Sequence, residues 1–292
     1  GNYYKKNISF YERGLTSLIL PYSFICGISH YLKDVKIDLV ILSTPMMNDP
    51  YLMAKLRSYF NCRIVLIIWD IFPQNAVDIG LIKNTFLIRY FKKKYQQALN
   101  CADYVTVMSP GCKKYIQDHF KINESKLLVL KNWAEIKGNS DECGNVRERY
   151  SLNEADFILV FGGNMGKPQK LENILMLAER TRDHTNIKYL FVGKGTECEN
   201  LILLTNRMKL SNVIFIPHVP RYDYECLLKA CDIGIVSLDE KFTVPNFPSK
   251  TTDYFKLSLP VLASLDKTAI SDYGYFLEKE AKAGVVGQAG NV

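Results

Sequence analysis

FILVFGGNMGKPQKLENILMLAER, residues 157–180, decides the fold of this chain. Phe157 to Phe161 is an unbroken apolar run of strand character, Gly162, Gly163 and Gly166 make a turn, and from about Gln169 the apolar residues recur at helical spacing. A strand, a glycine turn and a helix in that order expose backbone N–H groups at the helix start, where an anion such as phosphate is held.

Two stretches extend the pattern. YLFVGKG (189–195) again ends a strand in glycines, with Lys194 between Gly193 and Gly195. VPNFPSKTTDYFKLSLPVLAS (244–264) places Lys250 and Asp253 three residues apart at a helix start. That spacing puts both on one side of the helix, a cation suited to phosphate beside a carboxylate suited to ribose hydroxyls.

Working outward, apolar strand-like runs recur at 37–43, 63–69, 104–109, 127–132, 157–162, 187–193, 213–217, 233–238 and 260–264, with helical patterns between them. Near-continuous hydrophobic strands alternating with helices predict parallel sheets covered on both faces, an α/β class. The rhythm pauses at 136–153 (IKGNSDECGNVRERYSLN), which is polar and lacks strand character. It reads as a junction between an N-terminal domain, 1–140, and a C-terminal domain, 141–292.

The 292 residues suffice for two ordinary domains, and 48% hydrophobic with 23% charged residues describes a folded chain rather than a disordered one. The net charge of +7 is uneven: residues 1–137 carry 19 Lys and Arg against 10 Asp and Glu, and residues 138–292 carry 18 against 20. A basic first half fits an anionic membrane surface, an anionic lipid or a nucleic acid, and equally a solvated face with chance asymmetry. The eight cysteines include no CxxC pair and no zinc spacing, so a reducing cytoplasm is the simplest compartment. Residues 14–32 carry no formal charge but hold Pro21 and two glycines, which predicts a buried or membrane-surface helix rather than a span.

Each candidate residue has a plainer reading. Any α/β protein needs glycines at such turns, so Gly163, Asn164, Lys167, Gln169, Gly193 and Lys194 gain weight only together. His218 follows the strand at 213–217 and could approach a nucleobase, although a lone histidine is more often structural. Ser249, Lys250 and Asp253 fit a donor-holding turn or a surface ion pair. Asp70 ends the strand at 63–69, where clefts form, and would also serve as a helix cap.

Taken together, WDIFPQNAVDIGLIKN (69–84), VMSPG (107–111), LKNWAE (130–135), FGGNMGKPQKLENIL (161–175), VGKG (192–195) and PSKTTDYFKLSLPVLAS (248–264) resemble family 4 glycosyltransferases. The closer likeness is to bacterial enzymes of surface-polysaccharide synthesis (lipopolysaccharide and capsule), such as the N-acetyl-L-fucosaminyl transferases. The resemblance implies the GT-B architecture, two Rossmann-like domains facing across a cleft. It implies a retaining hexosyltransferase that moves a sugar from a nucleoside diphosphate, UDP, to a polyprenyl-diphosphate-linked or glycan acceptor at the inner face of the cell membrane. It also implies no cofactor, no metal and no nucleic-acid partner, with cationic side chains stabilising the leaving diphosphate. Asp70 and Lys250 take the catalytic positions, and Gly163, Asn164, Lys167, Gln169, Gly193, Lys194, His218, Ser249, Lys250 and Asp253 line the donor.

Some residues depart from the family pattern. Its two acids would fall at Pro245 and Asp253, its phosphate-binding Arg and Lys at Asn164 and Gln169, and its histidine at Trp69. Lys167 or Lys250 must then supply the charge. By the same resemblance both ends of the sequence are expected to be incomplete. Two other functions stay open. A catalytically weak subunit or scaffold would keep the fold and bind a partner or a membrane. A sugar-nucleotide epimerase would need cleft acids and bases that the sequence does not offer.

Overall fold

The computed structural model describes residues 10–43, 50–135 and 143–291. The chain forms two compact units, Gly1–Lys131 and Asn132–Val292. Part of the stretch expected as a junction, 136–142, lies outside the described residues.

The first unit holds a four-stranded, wholly parallel sheet, β1 (Leu39–Ser43), β2 (Arg63–Ile68), β3 (Tyr104–Val107) and β4 (Leu127–Val129), in sequential order. Ile64, Leu66 and Ile68 are buried at alternate positions along β2, and Val105, Thr106 and Val107 are all buried along β3. The connecting helices start where the sequence supplies caps. The Asn84 side chain accepts from the Phe86 and Leu87 N–H groups to open Thr85–Cys101, and Ser109 accepts from Cys112 N–H to open Pro110–His119. Helix Thr85–Cys101 buries Tyr95, Ala98 and Leu99. The uncharged stretch near the start forms part of helix Phe10–Tyr31, with Pro21 inside it. Among the described residues no helix is long and apolar enough to cross a membrane.

The second unit holds β5 (Phe157–Asn164), β6 (Ile187–Lys194), β7 (Val213–Pro217), β8 (Ile233–Ser237), β9 (Val261–Leu265) and β10 (Gly284–Gln288), all parallel in the order β10-β9-β8-β5-β6-β7. Ile158 to Phe161 are all buried, as a central strand covered on both faces requires. Leu159 and Phe161 share a core with Leu171, Ile174, Leu175 and Ala178 on and before helix Glu172–Arg180, and with Tyr189 and Phe191 of the next strand. From β5 the chain winds to β6 and β7 on one side, then crosses to β8, β9 and β10 on the other. The strand order therefore reverses between β5 and β8, the place where open α/β sheets leave a crevice at their carboxyl ends.

That seam opens because β5 and β8 pair only at Leu159 with Ile233 and Val160 with Gly234. Tyr254 fills the widening gap. Its hydroxyl lies 3.2 Å from the Val160 carbonyl and 3.1 Å from that of Ile235, and donates to one at a time. The ring occupies the space a side chain at position 234 would need: a Cβ there would stand 2.4 Å from it, which is why Gly234 is glycine.

Two findings go beyond the sequence reading. The polar stretch read as a junction contributes helix Val146–Arg149 to the second unit. Arg147 is stitched to the carbonyls of Asn153 (2.7 Å), Asp156 (3.0 Å) and Ala230 (3.0 Å), so its charge ties backbone acceptors together, two of them half-buried. Cys143 and Cys226, 83 residues apart in sequence, form a disulfide to helix Arg221–Lys229, whereas the thiols were expected to be free. Cys26, Cys62, Cys101, Cys112, Cys198 and Cys231 stand outside any disulfide.

Candidate active site

The two glycine turns lie side by side at the carboxyl ends of β5 and β6. Gly163 pairs with Gly193 in register, and both have left-handed backbones, φ +125° and +138°. A Cβ at Gly193 would stand 2.1 Å from the Gly163 carbonyl oxygen, and one at Gly195 would stand 2.2 Å from that of Met165. Side chains at these positions would force the two loops apart. The loops are zipped by Met165 N–H to Lys194 O and Glu197 N–H to Met165 O, each 2.9 Å. The turn then tightens into Lys167–Gln169, where the Gln169 side-chain oxygen accepts from Gly166 N–H at 3.1 Å. The following helix starts at Glu172, slightly later than the sequence suggested, because this capped turn intervenes.

Lys250 is delivered to the same place by a packed loop. Phe247 lies 5.1 Å from the Tyr273 ring and 5.2 Å from Phe276, and Thr251 shares a 2.7 Å hydrogen bond with the Tyr273 hydroxyl. Val244 and Pro245 are buried. These contacts fix the start of helix Lys250–Lys256. The Lys250 amino group then sits 3.8 Å above the centre of the Phe161 ring and 3.8 Å from where a Gly163 Cβ would be. Burial of the charge pushes this amine down to about 7, although the ring face beneath it favours the cation.

Asp253, one turn along the helix, does not stand alone. Arg221 donates to it through both guanidinium arms, with a distance of 3.1 Å to Oδ2, and through Nε to Glu225 at 2.9 Å. Lys256 closes the chain by donating to Glu225 at 3.0 Å and holds that carboxyl below its usual range. Tyr224, on the same helix as Arg221, lays its hydroxyl against Gly162, where any added Cβ would collide with it. Arg221 and Tyr224 escaped the sequence reading because they meet Asp253 and Gly162 only through folding, 32 residues away in the first case. The only local signal was the arginine opening a helix after Pro220.

The structure thus gathers Gly163, Gly193, Asn164, Lys194, Lys250 and Asp253 around the carboxyl ends of β5 and β6. Lys167 and Ser249 are exposed at the rim, and Gln169 is occupied by its backbone cap. His218 is exposed and follows β7, two strands from β5, so it is the most remote of the donor-side candidates. Asp70 belongs to the first unit and follows β2. Burial raises its carboxyl, and the nearby Tyr95 phenol is raised by its own burial and by the charges around it, Asp70 among them. Among the described residues no group of three or more His, Cys, Asp or Glu side chains could hold a metal ion.

Comparison with known proteins agrees with this geometry. Residues 144–273 match the family described as Glycosyl transferases group 1. The chain is 25% identical over 228 residues to a probable glycosyltransferase, WbjE, of Pseudomonas aeruginosa, covering 73% of this chain and 54% of that protein. It is 29% identical over 132 residues to the putative colanic acid biosynthesis glycosyl transferase WcaI of Escherichia coli K12, covering 44% and 32%. The chain spans about half the length of the curated relatives it matches. Among solved structures it is similar to HepE of Anabaena in complex with UDP, with a TM-score of 0.64 at 16% identity over 93% of this chain and 68% of that one. It is also similar to WaaG, a glycosyltransferase involved in lipopolysaccharide biosynthesis, with a TM-score of 0.57 at 13% identity over 96% and 83%. The fold is therefore two parallel-sheet α/β domains of the GT-B kind, as the sequence led us to expect.

Proposed function

We propose that the chain is the donor-binding and acceptor-binding core of a retaining family 4 glycosyltransferase that uses UDP-linked sugar in surface-polysaccharide synthesis. One observation carries the reading: at the strand-order reversal of the second unit the Lys250 amino group lies beside Gly163, and Asp253, one turn along the same helix, pairs with Arg221 of the helix whose Tyr224 abuts Gly162. A nucleoside diphosphate needs those groups in that order, backbone N–H donors and a cation for phosphate and a carboxylate for ribose hydroxyls. UDP in the structure of a relative of the same fold supports the uridine assignment.

In this mechanism Lys250 stabilises negative charge as the diphosphate leaves, which is where a preorganised cation contributes most. Lys194 and Lys167 add charge at the glycine turns. Asp253 orients the nucleoside. The acceptor attacks from the face the diphosphate vacates, and a diphosphate oxygen takes the acceptor proton, so no protein nucleophile is required. Asp70 belongs to the acceptor side. A polyprenyl-diphosphate-linked or glycan acceptor, met at the inner membrane surface, suits the basic first half of the sequence.

The experiment is to incubate the chain with UDP-sugars and a lipid-linked acceptor and to follow UDP release and sugar transfer in native protein and Lys250→Met. UDP release coupled to transfer, lost in the variant, is expected. Pro245, buried where the family carries an acid, favours one second reading, a domain that binds the donor without transferring it. Tight UDP binding with no release from any UDP-sugar would select that reading.

A further inference from the structure

Asp253 is held by a residue that no comparison assigns. Arg221 opens helix Arg221–Lys229 and sends both guanidinium arms to the two oxygens of Asp253. Its remaining Nε is fixed by Glu225, which is itself held by Lys256. The result is a four-member chain, Asp253–Arg221–Glu225–Lys256, that ties one helix to the other. Arg221 is anchored from below as well, because its helix packs Tyr224 against Gly162 and is joined to Cys143 through Cys226.

Such pairing does not block Asp253. An ionised carboxylate has two oxygens and about four acceptor directions, and a bidentate arginine uses one on each oxygen. One direction on each oxygen remains, and because the two point away from each other, the outward direction of one oxygen is left to accept a single ribose hydroxyl. The pair is also reachable, since the Arg221 side chain is 59% exposed and that of Asp253 23%. A single-bonded aspartate at this exposure would rotate about its side-chain torsions. The planar fork of an arginine fixes the plane of the carboxylate, and a lysine, a point charge on a flexible stem, would not.

We infer that Arg221 is the positioning residue of the donor site: it fixes the Asp253 carboxylate plane so that one outward acceptor direction meets the ribose 2′ hydroxyl, and thereby sets discrimination between ribose and deoxyribose. The inference rests on the donor-site reading above. It predicts a property that a merely structural ion pair would not have, because an exposed salt bridge lost from a surface changes stability little and discrimination not at all.

The test measures equilibrium binding of UDP, GDP and ADP, each beside its 2′-deoxy form, to the native chain and to Asp253→Asn, Arg221→Gln, Arg221→Lys and the Asp253→Asn/Arg221→Gln double variant. Native protein should prefer the ribonucleotide by about tenfold, the worth of one hydrogen bond to a charged group. The preference should collapse to about the same small value in Asp253→Asn, in Arg221→Gln and in the double variant, with Arg221→Lys restoring only part of it. Thermal melts of the same proteins separate folding from recognition. If Arg221→Gln melts lower but keeps the full ribose preference while Asp253→Asn loses it, the role of Arg221 is structural and the inference fails with the donor site intact. If no nucleotide binds the native chain, or Asp253→Asn leaves the preference unchanged, the donor-site reading itself fails and takes the inference with it.

Discussion

Replacing Lys250 with Met keeps most of its volume and removes its charge. The consequences can be worked out from its position. The amine of the free protein is pushed down to about 7 by burial, so above that pH the ligand-free site is mostly uncharged. A bound diphosphate brings negative charge to hydrogen-bonding distance and returns the amine to its ordinary range, so binding takes up a proton. With one such group, affinity should weaken about fivefold from pH 7 to pH 8 and about ninefold more from pH 8 to pH 9. Phosphate ionises near pH 6, below this window.

Calorimetric titration of UDP in buffers of different ionisation enthalpy should register uptake of about half a proton at pH 7 and about nine-tenths at pH 8. Lys250→Met should bind at least about tenfold more weakly at pH 7, with no pH dependence up to pH 9. The same shift has the opposite sign for folding. A lysine with a folded pKa below its unfolded value weakens the fold while it is charged. That penalty is complete below pH 7 and fades as pH rises towards about 10, where the unfolded chain also loses its proton. Lys250→Met should therefore melt above the native chain at pH 6.5, and the gap should narrow by pH 9. A native affinity that is flat from pH 7 to pH 9, or a pH dependence that survives in Lys250→Met, would refute the reasoning.

Three further outcomes follow from the packing. Gly193→Ala, with a left-handed backbone and a Cβ driven into the Gly163 carbonyl, should cost at least about 2 kcal/mol in urea unfolding and weaken UDP binding; a neutral substitution would contradict the close approach of the two turns. Tyr254→Phe removes the hydroxyl between the Val160 and Ile235 carbonyls and should cost about 1–2 kcal/mol by the same measurement; an unchanged midpoint would mean that water serves those carbonyls instead. Asp70→Asn should lower sugar transfer about a hundredfold and leave the dissociation constant of UDP within experimental error; equal loss of both would assign Asp70 to folding.

The parallel sheets were legible because a strand buried on both faces must be apolar throughout, and FILVF and YLFV have no other plausible home. The strand at Gly284–Gln288 was not legible: glycines at both 284 and 287 break its apolar pattern, and it is fixed by pairing with β9 and by Val286 N–H donating to the Glu278 side chain. Gly163 and Gly193 were readable as turn glycines, but their mutual contact was not, since register between β5 and β6 is a property of the sheet. Lys250 and Asp253 stood out in the sequence through their three-residue spacing. Arg221, Tyr224 and the Cys143–Cys226 bond stayed hidden because each acts across long separations, where spacing carries no information. Gln169 was read as a ligand-facing residue, yet its side-chain oxygen serves Gly166, a local competition for which the sequence offers only the capping pattern.

The most direct test of the donor site is a thermal melt of the chain with UDP, GDP and ADP, run beside Asp253→Ala. A rise in melting temperature selective for UDP and absent in the variant is the expected result. Cooperative melting that none of the three nucleotides shifts, in the native chain at pH 7, would contradict the central claim.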